Sequence, residues 1–361
     1  MKLLALITGG RNGSDLFLSL LDGHSQIMQF PGTFLFDDFY EKIKNEKNSN
    51  IIAQSFIRFE PFFFNSSKHY LEKHNMLGEN KNEYFKVDKD LFIKNFTKIF
   101  DNLKGNKMHL LYSLHAAYTV ASGKDITNKK VIVLNIQHIK RLRVLNSLDY
   151  DIIYMLRDPL ANLSSAVKNW TSYEEGVHFG PGSLFFHIDR VINGISDTLK
   201  FNKKTFVIQL EKLHLNFDSV IKEFCNIYNL KFENSLNYST FHGKKWWGDA
   251  LGKKFLNGIN KNFKNNFDHN DYFKKDVCLL EECLKDQISY YNYPFRSKFK
   301  TKYNIFFTPL KFELLIWKKS MIKFRLKHIL SIPIFWLYRI NSMKKNSNSK
   351  LPRSLGESNL N

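Results

Sequence analysis

The chain opens with MKLLALITGGRNGSDLFLSLLDGHSQI. An apolar run, Leu3 to Ile7, breaks into Thr8-Gly9-Gly10-Arg11-Asn12-Gly13-Ser14, and apolar residues at helical spacing follow at once through Leu16, Phe17, Leu20 and Leu21. This predicts a strand, a glycine loop and a helix. Such a loop turns backbone N–H groups toward an anion, and the helix dipole adds to the attraction. Arg11 and Ser14 add side-chain donors for phosphate-like oxygens. No Lys precedes Ser14, and Asp15 follows it. The magnesium-holding end of a nucleotidase P-loop is therefore missing. Taken alone, the loop reads equally as an ordinary tight turn.

The rest of the chain extends the alternation. KKVIVLNIQ (129–137), DIIYML (151–156) and TFVIQLE (205–211) read as buried strands. Helical patterns lie at 139–148, from Leu160, at 183–199 and at 216–228. Strands alternating with helices imply a mainly parallel central sheet flanked by helices, an α/β fold. Residues 36–128 read as a mostly helical insertion. The expected organisation is one domain over 1–295, a basic amphipathic helical C-terminal extension over 296–340 and a disordered tail over 341–361.

Charge and cysteines bound the function. Lys and Arg exceed Asp and Glu by 54 − 34 = +20, which favours an anionic partner. Between Lys298 and Lys345 there are twelve basic residues and one acid, Glu313. Cys225, Cys278 and Cys283 form neither a disulfide framework nor a zinc pattern. A reducing, cytoplasmic compartment is expected. The first apolar run is short for a signal peptide, and no apolar run reaches the ~18 residues of a membrane span.

A second anion feature sits in MLRDPLANLSS, where Arg157 ends a strand and Ser165 follows eight residues later, two helical turns on. Parallel strands share their C-terminal edge, the usual ligand edge, so Arg157 is expected beside the first loop. Alone, it reads as a salt bridge to Asp158.

Together these segments resemble the sulfotransferases that use 3′-phosphoadenosine-5′-phosphosulfate (PAPS). GGRNGSDLFLSLLDGHSQI is similar to that family's 5′-phosphosulfate loop, and IIYMLRDPLANLSSAV to its 3′-phosphate motif. FVIQLEKL resembles its later strand and FHGKKWWGD its C-terminal loop, so four pieces occur in the family's order from residue 2 to about residue 260. The resemblance implies a P-loop nucleotide-kinase-like sulfotransferase architecture and PAPS as co-substrate with no metal. By it, Gly10, Arg11, Asn12, Gly13, Ser14 and Asp15 hold the 5′-phosphosulfate, Arg157 and Ser165 the 3′-phosphate, and Gly243, Lys244 and Lys245 close over the nucleotide. Trp246 or Trp247 would lie against it. A guanidinium suits the 3′-phosphate because it donates two parallel hydrogen bonds.

The pattern also departs from the family. Asp15 stands where a hydroxyl is common, and no Glu follows the first helix before Glu41. Catalysis is assigned to Arg11 with Asp38, Asp37 or His115 as base, and His138 is an alternative on chemical grounds. The implied partner is a glycan, glycolipid or other hydroxyl acceptor, and no nucleic acid is expected. The 306–340 segment is expected either on an anionic membrane surface at its inner face or packed on the domain. A P-loop kinase and a non-catalytic binder of nucleotide or acidic glycan remain open.

Overall fold

The computed structural model describes residues 1–361 except 71, 104, 173–180, 249–254, 266, 298–306, 323–325, 345–350 and 357–361. The chain begins with β1 (Lys2–Thr8), α1 (Ser14–Leu21) and the short β2 (Ile27–Gln29). A helical layer follows: α2 (Phe36–Ile43), α3 (Ser49–Phe59), α4 (Pro61–Phe64), α5 (Lys89–Leu103) and α6 (Lys107–Ala121). The chain then re-enters the sheet with β3 (Val131–Gln137), a 3-10 turn at Ile139–Leu145 and β4 (Tyr150–Leu156). Next come α7 (Pro159–Ser172), α8 (Pro181–Thr198), β5 (Thr205–Gln209), α9 (Leu210–Leu215) and α10 (Phe217–Ile227). A small hairpin, β6 (Thr240–Phe241) and β7 (Lys244–Lys245), precedes α11 (Lys274–Cys283), α12 (Lys285–Tyr290), α13 (Lys311–Ile322) and α14 (Leu326–Lys344).

The five main strands form one sheet in the order β2-β3-β1-β4-β5, and every pairing is parallel. The expected α/β fold is therefore the observed one. All seven residues of β4 are buried, as are six of seven in β1. That is the signature of a sheet covered on both faces. The order reverses at β1: the chain leaves it toward β2 and β3, then crosses to β4 on the other side. Connections that part in opposite directions leave a crevice at the C-terminal end of the central strand. Here that end is Thr8.

Much of the phenylalanine excess serves the helical layer. Phe30, Phe34, Phe56 and Phe63 pack ring to ring, and Phe92 stacks on Phe56 at 5.5 Å. On the other side, the end of the chain differs from the expected disordered tail. α14 continues to Lys344, and residues 351–356 return to the sheet. Val207 N–H donates to Arg353 O at 2.9 Å and Leu355 N–H to Val207 O at 2.8 Å. The free edge of β5 is thereby covered, which removes an unpaired strand edge. Leu355 is fully buried in this position. Its polar neighbours hide it in the sequence.

Candidate anion-binding site

The loop after β1 is built from left-handed backbone. Gly10, Arg11 and Gly13 have φ of 86°, 58° and 82°. Gly13 occupies the N-cap of α1 and supplies no side-chain cap to its first turn. A Cβ at Gly13 would lie 2.5 Å from Leu210 Cδ1, so space as well as φ demands glycine. Ser14 begins α1 and is buried, and Asp15 lies in the same first turn.

Side chains from beneath hold this shape. Asn12 Nδ2 donates to Met155 O at 2.9 Å. Asn162 Nδ2 donates to Gly10 O at 2.7 Å and also pairs with Asn12 Oδ1. His187 Nε2 lies 2.7 Å from Asn162 Oδ1, and its ring would meet a Cβ on Gly10 at 3.3 Å. Burial, then Arg190, Arg11 and His138, push His187 well below the usual histidine range. A neutral ring donating from Nε2 follows. Asn12 thus acts as a strut of the loop. Asn162 and His187 are residues the sequence reading missed.

Cations converge on the same edge. Arg11 Nε donates to Ser165 Oγ at 3.4 Å, and Arg157 Nη1 donates to Arg11 O at 3.3 Å. The loop, the end of β4 and the second turn of α7 are therefore brought together, as their spacing implied. Arg157 is buried and its Nε has no hydrogen-bond partner. Burial lowers its pKa, and Glu211 opposes that effect. The salt bridge to Asp158 does not form. Asp158 instead accepts from Arg296 at 2.6 Å and caps α7 through Ala161 N–H at 2.9 Å. Glu211 accepts from Asp158 N–H at 2.9 Å and from the Tyr293 hydroxyl at 3.2 Å. Beyond the loop, Arg190 Nη1 lies 2.8 Å from His138 Nδ1. Burial, then Arg190, Arg141 and Lys140, push His138 down to about 3. Among the described residues neither Arg157 nor Arg190 forms an ion pair with a carboxylate. An anion is the missing counter-charge.

The other sequence candidates have partners of their own. Gly243, Lys244 and Lys245 sit on the β6–β7 hairpin. Gly243 N–H donates to Asp22 Oδ2 at 2.8 Å, at the C-terminal end of α1. An eight-residue helix is about 12 Å long, so the hairpin is fastened to the end remote from Arg11. Lys244 pairs with Glu83, and Lys245 with Glu79 at 2.9 Å. Trp246 is buried, and Trp247 donates to Gly78 O at 2.7 Å. Asp37 and Asp38 both bind Arg141 Nη1, the second at 2.9 Å. His115 is buried, with Nδ1 2.8 Å from Leu111 O and its ring 4.0 Å from Phe30. Burial pushes it down to about 4.

Among the described residues no group of three or more His, Cys, Asp or Glu is arranged to hold a metal ion. The candidate site is a strand–loop–helix turn at the switch point of a parallel sheet, with the buried Arg157 and the half-buried Arg11 and Arg190 beside it. Neither a protein-family model nor a curated protein matches the sequence. A search of solved structures finds a crystal structure of retinol dehydratase in complex with androsterone and inactive cofactor PAP. It is 11% identical over 83% of each chain, with a TM-score of 0.31. A TM-score that low bears on neither fold nor function.

Proposed function

We propose that the chain is a PAPS-dependent sulfotransferase. The observation that carries this reading is Arg157: buried, in no ion pair with a carboxylate among the described residues, and donating to the backbone of the glycine loop at Arg11, whose side chain reaches Ser165. Glu211 offsets part of the burial of this cation, and a bound anion would supply the ion-pair partner it lacks. The loop offers a second anion position one side chain away. Two anion positions on one sheet edge suit a nucleotide carrying both a 5′-phosphosulfate and a 3′-phosphate. The ordered motifs of the sequence point to the same ligand.

PAPS bound there supplies the sulfuryl group, which passes in line to an acceptor hydroxyl as the S–O bond to 3′,5′-ADP breaks. Arg11 and the loop N–H groups would hold the phosphosulfate oxygens, where charge spreads most during transfer. Arg157 and Ser165 would hold the 3′-phosphate and fix the register of the nucleotide. His138 takes the acceptor proton in this reading. It follows the last residue of β3, next to β1 on the crevice edge, and its ring is neutral at pH 7. The cations that depress its pKa are offset once a polyanion lies beside Arg190. Asp37 and Asp38 are committed to Arg141, and His115 is buried against the Phe30 ring. The acceptor class is a hydroxyl of a glycan or glycolipid, in keeping with the chain's basic, aromatic-rich composition.

The test is incubation with PAPS or ATP, with and without EDTA, and a panel of carbohydrate and glycolipid acceptors. Release of 3′,5′-ADP from PAPS, insensitive to EDTA, is expected. ADP formation from ATP that EDTA abolishes would establish a kinase instead. Nucleotide binding without turnover on any acceptor would make the chain a binding protein.

A further inference from the structure

α13 and α14 form a helical hairpin fixed firmly to the domain. Arg339 of α14 is fully buried, with Nε 2.8 Å from Glu313 Oε1 and Nη2 3.1 Å from Thr308 O. Asp189 of α8 accepts from the Tyr338 hydroxyl at 2.9 Å and from Ser342 Oγ at 2.8 Å. Ile332, Ile340 and Met343 are buried beneath the helix.

The outer side is also apolar. Met321, Ile322, Leu326, Leu330, Ile334 and Leu337 are each 59–71% exposed. The last four recur at intervals of four, four and three residues, which places them on one face of α14. Single exposed apolar residues are ordinary, but four on one face of a helix are not. A helix apolar on two sides, with one covered, is built for a second apolar environment.

Charge identifies that environment. From Lys298 to Lys345 the segment holds twelve Lys and Arg and the single acid Glu313. Glu313 is consumed internally by Arg339. The exposed apolar row therefore lies in a segment rich in cations, Lys318 exposed among them, with no further carboxylate of its own. A second copy of the chain would bring two such cationic faces together, each on a protein of net charge +20. An anionic bilayer answers both features at once.

We propose that the α13–α14 hairpin docks on an anionic membrane surface, its apolar row entering the acyl boundary and the net positive charge of the segment drawing it to anionic lipid headgroups. No described helix is long and apolar enough to cross a membrane, so the hairpin lies in the interface plane. α14 is held on α8, which also carries His187 and Arg190. Docking thus holds the anion crevice at a fixed attitude to the bilayer. That consequence suits a lipid-linked acceptor and rests on the sulfotransferase reading, whereas the docking itself does not.

The experiment is co-sedimentation of the full chain with vesicles of phosphatidylcholine alone or with about 30% phosphatidylglycerol. Binding about tenfold stronger to the anionic vesicles is expected, weakening as salt is raised. The variant Leu330→Asp/Ile334→Asp/Leu337→Asp, altered only at exposed positions, should melt like the parent and lose the binding. Should it melt lower, quenching of parent tryptophan fluorescence by brominated lipid decides the matter, since Trp317 stands on this hairpin. No pelleting, equal pelleting with neutral vesicles, or no quenching by brominated lipid overturns the proposal. So does a dimer in vesicle-free solution that the triple variant dissociates while vesicle binding is absent.

Discussion

The two ends of α1 present a useful contrast. At its N-terminus, Gly10, Arg11 and Gly13 turn left-handed, and Arg157 forms no ion pair among the described residues and leaves its Nε without a hydrogen-bond partner. At its C-terminus, Gly243, Lys244 and Lys245 also combine a left-handed glycine with cations, but every charge is matched: Lys244 by Glu83, Lys245 by Glu79, and Asp22 by Lys124. Both stretches look like phosphate loops as strings of letters. Only the first is short of counter-charge. The difference lies in whether acids from elsewhere in the chain reach the lysines, and nothing local records that.

The contrast can be pressed first at the two glycines. Gly13→Ala forces a Cβ into Leu210 and a side chain into left-handed backbone, a loss of about 2–5 kcal/mol of stability. Gly243→Ala meets no atom within 4 Å, so only the backbone cost of about 1–2 kcal/mol applies. Denaturant titration of both variants measures this, and equal losses would mean the first loop is not specially packed.

Acid should strike next. Burial holds His115 and His242 near 4, and His138, lowered further by Arg190, near 3. The unfolded chain binds those protons near pH 6.5, so stability falls as pH drops from about 6.5 toward 4. For His115 alone this reaches about 3 kcal/mol near pH 4. Glu60, raised to about 8 by burial, works in the opposite sense. Three histidines outweigh it. Unfolding free energies at pH 7 and pH 5 check the sign, and His115→Phe should remove part of the slope.

The proton acceptor gives a third comparison. His138→Gln should cut turnover by about 10²-fold while 3′,5′-ADP still binds. Asp37→Asn with Asp38→Asn breaks only a partly exposed clamp on Arg141 and should cost under about 1 kcal/mol of stability. A large turnover loss in the aspartate pair, with His138→Gln active, would move the base to α2.

What could be read from the sequence follows the same division. β1, β3, β4 and β5 are marked by unbroken apolar runs, and the glycine loop by its own letters, because both are local. Arg157 and Ser165 were linked by helix pitch and by the shared edge of parallel strands. β2 has only three residues and no run to mark it. The carboxylates that neutralise Lys244 and Lys245 lie more than 160 residues away in sequence. Asp37 meets Arg141 across 104 residues. Asn162 left a faint trace, one turn inside the helix that follows Arg157. His187 and Arg190 left none, since α8 reaches the crevice only by packing.

The most direct measurement is calorimetry of 3′,5′-ADP and 5′-AMP binding to the parent, Arg157→Ala and Lys244→Ala. If Arg157 holds a 3′-phosphate, its loss weakens 3′,5′-ADP by about 1.5–3 kcal/mol, roughly 10- to 150-fold, and leaves 5′-AMP nearly unchanged. Lys244→Ala should leave both ligands as they were. Equal losses for both nucleotides in Arg157→Ala, or a selective loss in Lys244→Ala, would contradict the assignment of the crevice.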